Sequence, residues 1–235
     1  MNIWISKGLV ALGLLAVLGG CVTGPGSPGQ SRFGEGLGTP ARQAPVLGGA
    51  VTVTGPEGYC VDKSASRVGG QTAFVLMAPC ERFRRGVAGI LFRPRALVTA
   101  TVTEGSGPTV SGYQRFFSER EGLSALSHNG NPEGVDVESM GAASDGSFRV
   151  TVTDSVAPDK NGLVDTRSWR AFFTVEGHLV AASLRSPRGA PLSSDGAQSM
   201  LTQMVAAIRQ ASAPPEPPET AETAPVARAA SAIQD

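Results

Sequence analysis

Apolar and polar positions alternate through the middle of this chain. Ala50-Val51-Thr52-Val53-Thr54 reads as a half-buried strand, and Tyr59-Cys60-Val61-Asp62 resumes the pattern after a Gly55-Pro56-Glu57-Gly58 turn. Thr72 to Ala78 is a short apolar run that predicts a central strand, and Ala96 to Thr103 is β-branched and alternating. Val135 and Val137 alternate with Asp136 and Glu138, and Phe148, Val150 and Val152 alternate with Arg149, Thr151 and Thr153. Ser168 to Val175 and His178 to Leu184 flank Glu176-Gly177. That two-residue loop predicts a hairpin, because Gly tolerates positive φ.

Two segments switch to the helical period. From Tyr113 to Leu126 the residues Tyr113, Phe116, Leu123 and Leu126 share a stripe, with Phe117 beside it. From Ser194 to Gln210 the set Ala197, Met200, Leu201, Met204, Val205 and Ile208 forms a second stripe, with Ser193 or Ser194 placed to cap it. These faces read as core, with a ligand groove as the alternative. Strands, a helix, four more strands and a last helix make one α+β domain over 50–211, a mostly antiparallel sheet covered by two main helices. That element order is similar to the α/β/α sandwich of PsbP, Mog1 and DcrB-like proteins. The resemblance implies an accessory or assembly role.

The ends break the pattern. Lys7 precedes an apolar run from Gly8 to Gly20, which is shorter than the about 20 residues a bilayer-spanning helix needs. It has the form of a secretory signal peptide, residues 1–20. Leu18-Gly19-Gly20-Cys21 resembles the lipobox of bacterial lipoproteins. The resemblance implies lipidation of Cys21, cleavage before it, and attachment to the bacterial cell envelope facing the periplasm. Val22, in place of Asp, favours the outer membrane over the inner. Residues 21–49 are Gly/Pro-rich and read as a tether. Residues 212–235, rich in Pro, Ala, Glu and Thr, bury too little apolar surface to offset ordering entropy and read as a disordered tail.

Composition narrows the function. Twenty basic and 20 acidic residues give a formal net charge of zero, which argues against a general nucleic-acid binder. With Cys21 committed to lipid, Cys60 and Cys80 remain as an even pair in an oxidising compartment. A disulfide between them would contribute about 3 kcal/mol in the chain-entropy model. Two buried thiols are the alternative. There is no CxxC to suggest zinc, and no cofactor motif is present.

Candidate chemistry is sparse. Asp62-Lys63-Ser64-Ala65-Ser66 shares only its first two residues with the DKTGT motif of P-type cation ATPases. It lacks those pumps' spanning helices, so a cation-transport reading is a false match and a turn is expected. No GxSxG is present, and His128 and His178 fall in turn-rich surroundings. Glu81 to Arg95 carries Arg82, Arg84, Arg85, Arg93 and Arg95 among Phe83, Val87, Ile90, Leu91 and Phe92. Those arginines are candidates for contact with anionic lipid or a partner, against a plain surface loop. The expectation is therefore a non-catalytic accessory or protein-interaction lipoprotein. A binder of small molecules or peptides is the alternative, and a hydrolase with an unrecognised site is a third reading. An aromatic-lined pocket would favour the binder.

Overall fold

The computed structural model describes residues 40–83, 96–155, 162 and 164–214. Within them β1 (Gln43–Val46) and β2 (Val51–Thr54) form an antiparallel hairpin, with Val46 opposite Val51. A second sheet holds β3 (Tyr59–Val61), β4 (Thr72–Pro79), β5 (Leu97–Glu104), β6 (Val135–Ala142), β7 (Phe148–Asp154), β8 (Val164–Val175) and β9 (His178–Pro187). Its order is β3-β4-β5-β9-β8-β7-β6, and every neighbouring pair is antiparallel. After β5 the chain passes through α1 (Val110–Ser118) and α2 (Arg120–Leu126) to the far edge. It then returns strand by strand until β9 pairs with β5. The last helix is α3 (Ser194–Ser212). The fold is α+β, built on one large antiparallel sheet.

Strict alternation gives the sheet two apolar faces. On one face Trp169, Ala171, Phe173 and Val175 of β8 join Val180, Ala182 and Leu184 of β9 and Val98, Ala100 and Val102 of β5. The stripe of α3 covers this face, and Ala197, Leu201, Met204, Val205 and Ile208 are each fully buried. The hairpin adds Ala44, Val46, Val51 and Val53 to the same core. On the other face Phe148, Val150 and Val152 of β7 pack under Tyr113, Phe117 and Leu126 from α1 and α2. Ser193 caps α3 by accepting from the Gly196 N–H at 3.1 Å.

Two details differ from the sequence expectation, and a third agrees with it. The stretch expected as tether, 21–49, contains β1, because Ala44 and Val46 alternate with exposed neighbours and fill the core. Pro45 hid this strand, yet β1 pairs only with β2, and an edge position tolerates a residue without an N–H. The helix expected over 113–126 is two helices, and α1 begins earlier at Val110 behind a Thr109 cap. Glu119 between them is extended, at φ −97° and ψ 161°. The break rephases the stripe, so Phe117 is buried and Phe116 is 38% exposed. The hairpin expected at Glu176-Gly177 forms with both residues at positive φ, 47° and 75°.

Candidate functional site

The strand ends nearest the first turn of α1 border a half-open cavity of about 230 Å³. Pro108, Val110, Tyr113, Gly146, Phe148, Phe172, Phe173, Thr174 and Arg209 line it. Phe148 and Phe172 are direct partners across β7 and β8, so both point toward α1. Tyr113 stacks on Phe148 with centroids 5.0 Å apart and planes 18° off parallel, and its ring lies 5.6 Å from Phe172. Phe173 faces the α3 side and contributes from there. Gly107 lets the loop before α1 close down, since a Cβ there would collide with the Tyr113 hydroxyl and lie 3.1 Å from Leu179. The Gly107 N–H donates to Thr174 Oγ1 at 3.2 Å.

The lining is mixed in polarity, and two of its residues, Tyr113 and Arg209, carry polar groups in contrasting settings. The Tyr113 hydroxyl is buried without a hydrogen-bond partner, and burial pushes its phenol up. Arg209, in the last turn of α3, donates through Nη1 to the Asp145 carbonyl oxygen, and its guanidinium sits 5.4 Å from the Phe173 centroid. Among the described residues no carboxylate forms an ion pair with Arg209. The Asp145 carboxylate is engaged by Arg149 and by the Ser147 N–H and hydroxyl. Burial would raise the Asp145 pKa, but the Ser147 hydrogen bonds and the Arg149 charge outweigh it and hold it below the usual range.

A polar cluster occupies the opposite end of the strands. Arg170 of β8 donates to the carbonyl oxygens of Ala125 and Leu126, closing the C-terminus of α2. Burial lowers its pKa to about 10; the Arg185 charge adds to the shift and Asp154 opposes it. Arg185 is lowered by burial as well, against Asp154 and Asp165. Fully buried Asp154 accepts from Ser127 Oγ at 3.2 Å and from the His128 backbone N–H at 2.6 Å. Ser, His and Asp are thus neighbours, but the carboxylate holds the His128 backbone rather than orienting an imidazole as hydrolase chemistry requires. His178 starts β9 beside Val175, at the far end of β8 from the Asp154 cluster.

The residues singled out from sequence are scattered. Cys60 and Cys80 are bonded, with Cα atoms 4.8 Å apart, and join β3 to the end of β4. Arg82 is exposed in the 3₁₀ turn that follows. Cys21 and Arg84, Arg85, Arg93 and Arg95 lie outside the described residues. Asp62 ends β3 in a turn, its carboxylate accepting from the Ser64 N–H and hydroxyl and from the Ala65 N–H. Among the described residues no helix is long and apolar enough to cross a membrane, and no His, Cys, Asp and Glu cluster could hold a metal.

The cavity residues were legible in sequence only as core. Phe172 and Phe173 face opposite sides of β8, so alternation cannot predict that both border one space. Nothing local in the sequence ties Arg209 to them.

No protein-family model matches the chain, and no curated protein does. Solved structures similar to it include the Saccharomyces cerevisiae Ran-binding protein Mog1p, at 15% identity and TM-score 0.37, covering 74% of this chain and 89% of that one. A mutant of the protein Mog1 is similar at 16% identity and TM-score 0.35, over 72% of this chain and 87% of that one. A structure from Bacteroides thetaiotaomicron follows at 8% identity and TM-score 0.31, over 68% of this chain and 46% of that one.

Proposed function

We propose that this chain is a lipid-anchored, non-catalytic binding module of a bacterial envelope, facing the periplasm and holding a partner there as an accessory component. The Leu18-Gly19-Gly20-Cys21 lipobox and the Gly/Pro-rich stretch behind it support the anchor. A thioether-linked diacylglycerol with an acylated amine gives the two or more chains that stable attachment needs. The observation that carries a binding role, common to this reading and to the small-molecule alternative, is the character of the cavity. Four aromatic residues line it, and the charged side chain it has among the described residues is Arg209, a residue suited to grip an anion and not to move protons.

The test is crosslinking and pull-down of the acylated protein from its own membranes, with mass spectrometry of its N-terminus. A lipid-modified Cys21 and a reproducible protein partner are expected. An intact leader, or a bare thiol at Cys21, would remove the anchor. The aromatic cavity also favours a second reading, a small-molecule binder; a purified protein carrying a small molecule and no partner would move the assignment there.

A further inference from the structure

Four aromatic side chains and Arg209, which forms no ion pair among the described residues, border the same cavity. Its volume of about 230 Å³ equals roughly eight waters at about 30 Å³ each. That is the size of a molecule with one ring and a short side arm. Tyr113, Phe148 and Phe172 already stand at stacking separations of 5.0 to 5.6 Å, so a further ring gains the same offset contacts at the cavity wall.

Charge selects among such molecules. Arg209 has five N–H donors in a planar fork, and one nitrogen, Nη1, is committed to the Asp145 carbonyl. The carboxylate of that same turn is taken by Arg149 and Ser147. A guanidinium lying over the Phe173 ring, with no carboxylate partner among the described residues, favours a carboxylate ligand, which it holds with two parallel hydrogen bonds. We infer that this cavity binds a small aromatic monocarboxylate, its ring among Tyr113, Phe148, Phe172 and Phe173 and its carboxylate on Arg209. This site does not depend on the lipid anchor.

The probe is phenylacetate, titrated into the full chain near neutral pH and followed by calorimetry and ring-proton NMR. Phenylacetamide supplies the same ring without the charge, and inorganic phosphate supplies charge without the ring. Saturable binding of phenylacetate is expected, with the amide weaker by about tenfold or more, since the charged, two-pronged contact is lost. Phosphate should not compete. Arg209→Gln should lower phenylacetate affinity about tenfold and leave the amide unchanged. Equal binding of acid and amide, competition by phosphate, or no saturation by phenylacetate at millimolar concentration would each overturn the inference. The acid–amide comparison uses the unaltered chain, so it decides the matter even if a variant fails to fold. A partner recovered from membranes together with no phenylacetate binding would sink this site and leave the accessory reading standing.

Discussion

Gly122 lies against the end of the preceding helix, so close that a Cβ there would sit 2.5 Å from the Phe116 carbonyl carbon and 2.8 Å from the Phe117 Cα. The atoms it would meet are backbone, which cannot swing away. The contact lets α2 fold back on α1 across the extended Glu119. Gly122→Ala is therefore expected to destabilise the protein by about 1–3 kcal/mol despite alanine's better helix propensity. Urea denaturation measures this, and an unchanged or raised midpoint would show that the two helices do not need the close approach.

The same break sets which phenylalanine faces the sheet. Phe117 is 3% exposed and its ring lies 5.0 Å from Phe172, whereas Phe116 is 38% exposed. Phe117→Ala should cost about 3–5 kcal/mol. Phe116→Ala should cost about 1 kcal/mol or less, mainly the edge-on contact with Phe117. Equal losses from the two substitutions would argue for one continuous helix in the original phase.

Cys60 and Cys80 close a loop with a sequence separation of 20, holding the three-residue strand β3 at the sheet edge. Loop-closure entropy of the unfolded chain puts the bond at about 3 kcal/mol. Replacing both cysteines with alanine should lower stability by that amount, and reducing the unaltered chain with dithiothreitol should produce the same shift. A reductant without effect on the denaturation midpoint would mean the bond does not constrain the unfolded chain.

Asp145 should give stability an acid limb. Its folded pKa lies below the unfolded value, so its contribution is full above the ordinary carboxylate range and is lost as pH falls through the folded pKa. Asp145→Asn should therefore be less stable than the parent at neutral pH, with the gap closing in acid. Thermal denaturation across the acid range would show it. A gap that stays constant with pH would place the loss in packing and not in charge.

Much of the sheet was readable from period alone. Val98, Ala100 and Val102, or Val180, Ala182 and Leu184, alternate strictly because one side of each strand must be dry. The stripe of α3 was equally plain, since every third or fourth residue meets the sheet. β1 was hidden because four residues with a central proline carry too little pattern to separate from a Gly/Pro-rich neighbour. The division of 110–126 was hidden because phenylalanines at 116 and 117 satisfy either helical phase.

From the linear order of residues come the alternating strands, the two stripes and the cysteine pair, because each depends on neighbours within a few positions or on simple counting. Tertiary structure alone brings Arg209 of the last helix to Tyr113 of the first, around the ends of β7 and β8. Contacts at such separations follow from strand order and layer packing, and nothing local in the chain encodes which distant side chains will share one space.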